Sequence, residues 1–226
     1  IKGGDVVAEY MLKEKIPYII GYAGHGAIGL LDSFYDKQDQ IKVVWPRIET
    51  AAGFMADAYY RITKVPLPVY VSTGPGPALS TCAVANAYYD SSAFLLITGQ
   101  VTTNQFDSGA LQEPYRQHPA DFPSVIRSYV KHSYQATTVD QISQFLPKAF
   151  KMMQTGRPGP VHLDIPYDIY QTEGETVIPE PEDWSDNVTW RHGTEDKTIE
   201  AILQKLKTAK RPLILAGGGV HVSGAR

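Results

Sequence analysis

The chain has 226 residues, of which 43% are hydrophobic and 20% are charged, and its formal net charge is −3. This composition is typical of a soluble globular protein, without the basic excess that would indicate nucleic acid as a partner and without an apolar run near the ~20 residues that span a bilayer. The single cysteine, Cys82, excludes an intrachain disulfide, and its alanine- and valine-rich surroundings predict a buried, unreactive thiol in a reducing cytoplasm.

Helical and strand-like patterns alternate along most of the chain. Amphipathic or small-residue helices are predicted around residues 6–12, 28–34, 49–61, 76–89 and 139–153. Short apolar strands are predicted at residues 16–22, 41–45, 68–72, 93–98, 129–134 and 160–165. Strands that alternate with helices of about ten to fifteen residues indicate βαβ units. The predicted fold class is therefore α/β, with a doubly wound, mostly parallel sheet and helices on both of its faces.

Two stretches interrupt this alternation. Residues 102–124 are polar, contain several prolines and lose all periodicity, which is typical of a functional or flexible loop. Residues 172–195 are acidic, carry prolines and are also aperiodic. We interpret them as a linker between a first domain, residues 1–171, and the beginning of a second domain, residues 196–226.

The last segment carries the pattern of an incomplete second domain. A helix is predicted around residues 199–206, and a strand followed by a glycine turn is predicted at residues 211–220. We interpret this pair as the first βα unit of a Rossmann-like domain. Because the chain begins at Ile1 without an initiator methionine and stops at Arg226 just after that turn, we expect it to be part of a longer polypeptide.

Four motifs near the ends of predicted strands are expected at one edge of the sheet, because ligands of open parallel sheets bind beyond the carboxyl ends of the strands. The motifs are Gly24-His25-Gly26, Glu49, Gly74-Pro75-Gly76 and Gly99-Gln100. Glu49 opens an alanine-rich helical stretch, where the helix dipole favours a carboxylate. An ordinary helix-start acid is therefore the alternative interpretation of Glu49, and a tight strand-to-helix turn is the alternative for the glycine-proline-glycine motif.

The order of the motifs resembles a known family. The matching elements are the acid Glu49 before an alanine-rich helix, Ser72-Thr73-Gly74-Pro75-Gly76, Ala87-Tyr88-Tyr89-Asp90-Ser91, Thr98-Gly99-Gln100 and the closing strand at 156–166. Together they resemble the pyrimidine-binding, N-terminal domain of thiamine-diphosphate enzymes of the acetolactate synthase type. The resemblance covers nearly the whole chain, and five motifs in order are far more specific than any one of them.

The resemblance implies a site for thiamine diphosphate. Glu49 is then the carboxylate that hydrogen-bonds the ring nitrogen N1′ of the aminopyrimidine and so promotes removal of the C2 proton of the thiazolium ring. This chemistry needs a carboxyl group shielded from water, and we expect an apolar lining from Ile48, Phe54 and Met55. The cofactor-binding residues that we expect are Gly24, Glu49, Thr73, Gly74, Pro75, Gly76 and Asn86.

Two further residues are expected to act in catalysis. His25 stands where related decarboxylases carry an ionisable or polar side chain that faces the substrate, so we predict a substrate-facing acid or base; a solvated turn histidine is the alternative. Acetolactate synthases usually have a small residue there, and the Gly-His-Gly is closer to the cyclic-dione hydrolase of inositol breakdown. Gln112 resembles the glutamine of the family's Phe-Gln-Glu, which reaches the partner subunit's active site, although Leu111 replaces the phenylalanine.

The resemblance also implies parts that this sequence does not contain. The family binds Mg²⁺ and the diphosphate through a Gly-Asp-Gly…Asn segment of a C-terminal domain, and no such segment or other metal-ligand spacing occurs here. The chain by itself is therefore expected to be inactive. We expect the active site to form between subunits of a homo-oligomer, a dimer or a tetramer. Binding of FAD at the glycine turn 211–219 is left open.

The predicted activity is that of a lyase or transferase that makes or breaks a carbon–carbon bond next to a carbonyl, as in acetolactate synthase-like decarboxylation and ligation of a 2-keto acid. Two alternatives remain within the family, a cyclic-dione hydrolase and a simple 2-keto acid decarboxylase. An alternative of another class is a flavodoxin-like nucleotide-binding module. Its support is weak, because the first turn is GxxGxG and not the GxGxxG of dinucleotide binders.

Overall fold

Six parallel strands form one sheet in the computed structural model, which describes residues 1–108, 122–185 and 193–224. The strands are β1 (Tyr18–Gly21), β2 (Lys42–Val44), β3 (Pro68–Val71), β4 (Leu95–Gln100), β5 (Ser133–Gln135) and β6 (Val161–Pro166). Their order across the sheet is β2-β1-β3-β4-β6-β5, and every neighbouring pair is parallel. The predicted α/β class with a parallel sheet is confirmed.

The chain divides into two units, Ile1–Val188 and Thr189–Arg226. The described helices of the first unit are α1 (Gly3–Lys13), α2 (Ile28–Asp32), α3 (Glu49–Thr63), α4 (Pro75–Tyr89), α5 (Phe122–Ile126), α6 (Val139–Gln154), α7 (Tyr167–Gln171) and α8 (Glu182–Ser185). Those of the second unit are α9 (Asp196–Thr208) and α10 (Gly218–Ser223). The sheet therefore belongs wholly to the first unit.

The core of the first unit lies on both faces of the sheet. Strands β3, β4 and β6 are buried along their whole length, as expected for central strands of a parallel sheet covered by helices. On α6, Ile142, Leu146 and Phe150 recur at four-residue spacing and are at most 3% exposed. Burying such a side chain stabilises the fold by about 1.5–3 kcal/mol, so this apolar stripe holds α6 on the sheet.

Helices α3 and α4 approach each other through small residues. A Cβ atom built on Gly53 of α3 would lie only 2.5 Å from the Cβ atom of Ala83 on α4, so only glycine fits there. The start of α3 is set by Ile48, whose backbone is extended, with φ −157°. As a result, Glu49 lies in the first turn of a helix that packs closely on its neighbour.

The region after α5 and the second unit differ from the predicted strands. Strand β5 begins at Ser133, because residues Arg127–Tyr129 form a single 3₁₀ turn instead of extended chain. In the described part of the second unit, residues 193–224, no strand forms at the predicted position 211–216. Leu213 and Leu215 are 94% and 96% exposed. A strand exists only when it pairs with a neighbour, and this unit offers none among those residues.

The first residues of the predicted linker, 172–178, are hydrogen-bonded to the first unit. The amide of Gly3 donates to the carbonyl of Thr172 at 3.1 Å, and the amide of Gly174 donates to the carbonyl of Ile1 at 2.9 Å. Further on, the Lys13 ammonium group donates to the carbonyl of Ile178 at 3.0 Å. These contacts hold residues 172–178 against the N-terminal segment and α1.

Cys82 is exposed, and the prediction of a buried thiol is wrong. Helix α4 turns its face with Ala83, Val84 and Ala87 towards the core. Cys82 falls on the other side of the same helix. Composition alone does not show which face of a mostly apolar helix is buried.

Candidate functional site

The strand order creates a crevice at the carboxyl edge of the sheet. The chain passes from β1 to β2 on one side and then returns to place β3 on the other side of β1. The loops that leave β1 and β3 therefore diverge, and ligands of open α/β sheets bind at such a switch point. The turn after β1 contains His25, and the turn after β3 leads into α4 through Gly74.

The turn after β1 is locked against its neighbours by close backbone packing. The amide of Gly26 donates to Oγ of Ser72 at 3.1 Å. A Cβ atom on Gly24 would lie 2.5 Å from Cβ of Ser72, and one on Gly99 would lie 2.3 Å from the carbonyl oxygen of Gly26. These distances leave no room for a side chain, so the turns after β1 and β3 and the end of β4 form one packed assembly at the crevice.

The turn after β3 depends on a backbone conformation that favours glycine. Gly74 has φ 60° and ψ −107°, and it caps the N-terminus of α4. Pro75 follows at the first helical position, where its missing N–H is not needed. Thr73 is 2% exposed and packs under the first turn, where a Cβ atom on Gly26 would lie 2.6 Å from its methyl group. Its side chain therefore supports the turn from below.

Glu49 points at this glycine turn. A Cβ atom built on Gly76 would lie 3.3 Å from Oε1 of Glu49, so the carboxylate lies directly beside the backbone of the turn. The side chain is half-buried, and within the described residues it makes no hydrogen bond or ion pair. The start of its helix is tied to α4 by the Thr50 hydroxyl, which donates to the carbonyl of Leu79 at 2.5 Å.

The expected apolar lining of Glu49 does not form in this chain. Ile48, Phe54 and Met55 are 45%, 40% and 41% exposed. The buried face of α3 is made instead by Ala52, Gly53 and Ala56, which pack towards α4 and the core. Within the single chain that prediction is wrong, because small residues make the face of α3 that packs against α4.

The arrangement can hold a flat ring that carries a protonated nitrogen. Gly74 and Gly76 leave the backbone open to close approach, since neither has a side chain. The unpaired carboxylate of Glu49 lies at the same place and can accept a hydrogen bond from a ring N–H or share a proton with a ring nitrogen. The geometry brings together Gly24, His25, Glu49, Thr73, Gly74, Pro75 and Gly76 from the expected residues.

His25 lies at the mouth of the crevice and is exposed. Its ring stacks on that of Tyr167, with centroids 4.6 Å apart and planes inclined by 20°. Tyr167 is the first residue of α7, directly after β6. The next residue, Asp168, accepts hydrogen bonds from the backbone amide of Thr103 at 3.0 Å and from its hydroxyl at 2.5 Å. The loops after β1, β4 and β6 therefore meet beside His25.

One of the expected site residues, Asn86, is not brought to the crevice. Asn86 lies near the other end of α4, about 16 Å along the helix from Pro75. Its side-chain amide donates to Oδ2 of Asp57 at 2.9 Å, which helps to satisfy a carboxylate that is only 4% exposed. Asn86 thus joins α3 to α4 and does not face a ligand at the crevice. Gln112 lies outside the described residues.

A buried polar network lies under the edge of the sheet, between β4, β6 and β5. The Thr98 hydroxyl donates to Oδ1 of Asp164 at 2.6 Å, so the Nε2–H of His162 donates to Thr98 at 2.8 Å. Nδ1 of His162 then accepts from the Ser133 hydroxyl, also at 2.8 Å. Gln135 donates to Oδ2 of Asp164 at 2.7 Å. Complete burial lowers the pKa of His162 to about 3, so the ring is neutral.

The residues that support the first turn from other strands are not among those predicted from the sequence. Ser72 lies within a matched motif that indicates no role for its side chain, and no motif indicates Tyr167 or Asp168. The rule that placed the other motifs also applies to Tyr167, because it follows the carboxyl end of the closing strand. Applying that rule to every predicted strand would have found it.

The described residues show neither a metal centre nor a membrane span. No group of three or more histidine, cysteine, aspartate or glutamate side chains comes close enough to hold a metal ion within residues 1–108, 122–185 and 193–224. Over the same part of the chain, no helix is both long and apolar enough to cross a bilayer.

Comparison with known proteins gives one family and a consistent set of relatives. Residues 1–120 match the family described as thiamine pyrophosphate enzyme, N-terminal TPP binding domain. The chain is 31% identical to the mitochondrial acetolactate synthase of Schizosaccharomyces pombe over 96% of its length, covering 33% of that protein. It is 33% identical to a probable acetolactate synthase large subunit of Methanocaldococcus jannaschii, over all of this chain and 37% of the other.

A third relative, the acetolactate synthase isozyme 3 large subunit of Escherichia coli strain K12, is 31% identical over 99% of this chain and 38% of its own length. The chain spans about a third of the length of the curated relatives that it matches. The similarity therefore extends past the matched family region to almost the whole chain, while most of each relative lies outside it.

Proposed function

Because the chain belongs to the thiamine pyrophosphate enzymes, through their N-terminal TPP binding domain, we propose that the crevice between β1 and β3 holds the aminopyrimidine ring of thiamine diphosphate. The observation that carries this proposal is the position of Glu49, an unpaired, half-buried carboxylate whose Oε1 lies beside Gly76. Membership of this family argues against the alternative that these turns belong to a flavodoxin-like nucleotide-binding module.

The residues at the crevice fit the ring of this cofactor. Gly74 and Gly76 allow the flat ring to lie against the backbone, and a side chain at Gly76 would fill the space in front of Glu49. The Glu49 carboxylate, in the first turn of α3, would hold the proton at ring nitrogen N1′. When bound, the cofactor would supply a nucleophilic thiazolium carbon for chemistry at a substrate carbonyl.

We further propose that His25 is a substrate-facing acid or base. It is exposed at the mouth of the crevice, and neither ring nitrogen makes a hydrogen bond with the described residues. Both nitrogens are therefore available to a carbonyl or carboxylate oxygen of a substrate. For the reaction class we propose decarboxylation and ligation of 2-keto acids, because the relatives named above are acetolactate synthases. A cyclic-dione hydrolase is the second candidate, since a histidine in this turn is closer to that enzyme.

We propose that the chain works as the N-terminal part of a longer enzyme, with residues 1–171 as the pyrimidine-binding domain, 172–195 leading out of it and 196–226 beginning a central domain. Mg²⁺ and the diphosphate would be bound by a part of the enzyme beyond this chain. Binding of FAD by the central domain stays an alternative without support in the exposed segment around Leu213.

A homo-oligomer would complete the site from a second subunit. Phe54 and Met55 on α3 and Leu79 on α4 are 40%, 41% and 44% exposed on the helices that carry Glu49 and the glycine turn. Three large apolar side chains at this place indicate an interface, because burying them would remove apolar surface from water next to the cofactor. We expect Met55→Lys to shift the holoenzyme towards smaller species in sedimentation velocity, and an unchanged distribution would contradict this interface.

The main experiment is the substitution Glu49→Gln in the holoenzyme, compared with Asp5→Asn. Asp5 is also a half-buried acid in the first turn of a helix, α1, and so it represents an ordinary helix-start acid. We expect Glu49→Gln to slow hydrogen exchange at C2 of the bound cofactor by about 10²–10⁴-fold, the usual range for a general acid–base group.

The helix dipole predicts that each substitution lowers stability by only about 0.3–1 kcal/mol, so circular dichroism should show both variants folded. Calorimetric titration with the cofactor and Mg²⁺ should show weaker binding for Glu49→Gln alone. If Glu49→Gln and Asp5→Asn exchange the C2 hydrogen at the same rate, Glu49 is a helix-start acid and the proposed site is wrong.

A further inference from the structure

The proposed acid–base role of His25 does not by itself explain why its ring contacts that of Tyr167. The two rings are nearly parallel, at 20°, with centroids 4.6 Å apart. A histidine on an exposed turn would otherwise sample several rotamers, because nothing in the described residues hydrogen-bonds its nitrogens. The stacking contact is therefore the interaction by which the described structure orients this side chain.

Both partners of the stack stand on firmly held backbone. On one side, the turn of His25 is fixed by the hydrogen bond from the amide of Gly26 to Ser72 and by the backbone contact with Gly99. On the other side, α7 is anchored by Ile169 and Tyr170, which are 5% and 1% exposed. The stack can therefore hold the imidazole in one place instead of moving with it.

Asp168, the residue after Tyr167, also holds the start of α7 in place. Its carboxylate accepts both the backbone amide and the hydroxyl of Thr103, which joins the start of α7 to the chain that leaves β4. Stacking covers one face of the imidazole and leaves its edge, with both nitrogens, uncovered. Such an edge offers hydrogen bonds to an oxygen anion or a carbonyl, and not an apolar surface.

We propose that Tyr167 is a positioning residue, which holds the His25 imidazole at the mouth of the crevice with its edge available to the carboxylate or carbonyl group of the substrate. The inference rests on the proposed function for the role of His25. The aromatic ring of Tyr167, and not its hydroxyl group, makes the stacking contact. Phenylalanine at this position should therefore hold the imidazole equally well, whereas an aliphatic side chain of similar bulk should not.

The experiment compares Tyr167→Phe with Tyr167→Leu, alone and combined with His25→Ala. In the 226-residue chain, proton NMR of the His25 ring reports the stack directly, because protons above an aromatic ring are shifted upfield. We expect Tyr167→Leu to move the His25 ring signals downfield and Tyr167→Phe to leave them in place. This measurement needs neither cofactor nor substrate, so it separates failure of the stack from failure of the proposed function.

In the holoenzyme, with pyruvate as the test 2-keto acid, we expect Tyr167→Leu to lower kcat/KM by about 3- to 10-fold, the range given by one aromatic pair. Tyr167→Phe should keep kcat/KM at the wild-type value. The same loss should disappear in the His25→Ala background, because Tyr167 then has nothing to position.

Unmoved His25 signals in Tyr167→Leu would overturn the proposal, as would a loss of kcat/KM that persists in the His25→Ala background. The latter would mean that Tyr167 acts by itself. If all variants and the wild type lack activity with pyruvate while the NMR shift appears, the stack stands and the proposed 2-keto acid reaction fails.

Discussion

Lowering the pH from 7 to 5 is expected to destabilise the first unit through one buried imidazole, that of His162. Its ring is neutral in the folded state, where complete burial lowers the pKa to about 3. In the unfolded chain the same ring has an ordinary pKa of ~6.5. Below pH 6.5 the unfolded state therefore binds a proton that the folded state does not, and stability falls as the pH falls.

The two pKa values of His162 set the size of the effect. Each pH unit between the unfolded and the folded pKa costs about 1.4 kcal/mol. From pH 7 to pH 5 the free energy of unfolding should therefore fall by roughly 2 kcal/mol through this one group. Above pH 7 the contribution vanishes, because the ring is neutral in both states.

The matched variant is His162→Gln, which keeps a donor and an acceptor in the network of Thr98, Asp164 and Ser133 but does not titrate. It lowers stability by a similar amount at every pH, so only the difference in pH dependence matters. The pH dependence of His162→Gln has to be subtracted from that of the wild type, because other groups also make stability depend on pH. Burial raises the pKa of Glu14, for example, and a carboxyl with a raised pKa makes the folded state more stable as the pH falls.

The assay is urea denaturation of both proteins at pH 7, 6 and 5, followed by circular dichroism. We expect the wild type to lose about 2 kcal/mol more than His162→Gln between pH 7 and pH 5. Equal losses in the two proteins would refute the reasoning, since they would mean that His162 is as easily protonated in the folded state as in the unfolded chain.

Three other changes test the packing of the site. Gly99→Ala should lower the free energy of unfolding by about 1–3 kcal/mol in urea denaturation, because its Cβ atom would lie 2.3 Å from a backbone oxygen of the first turn; Gly218→Ala, in open space, should leave the first unit unchanged. Asn86→Ala should lower the free energy of unfolding by about 1–3 kcal/mol, because the buried Asp57 carboxylate loses a hydrogen bond. The calorimetric affinity for the cofactor should not change, and weaker binding would mean that Asn86 belongs to the cofactor site. Cys82 in the 226-residue chain should react with a thiol reagent as fast as a free cysteine, whereas a protected thiol would contradict its exposure.

Much of the site could be predicted because its residues follow strands along the sequence. Glu49 begins an alanine-rich helix, and the glycine-proline-glycine motif follows an apolar run, so both are predicted at one edge of a parallel sheet without knowledge of the strand order. The turn chemistry is equally local, since a glycine with positive φ followed by proline makes a helix start by itself.

The α/β alternation, the turns and the acid at a helix start can be read from the sequence, because each depends on interactions between residues a few positions apart. The place of β3 beside β1, the stack of Tyr167 on His25 and the hydrogen bond from Asn86 to Asp57 depend on long-range packing. These contacts join segments that are far apart along the chain, and their geometry follows from how the whole sheet packs. The exposed side of α4 that carries Cys82 is decided in the same way, by which helix lies against it.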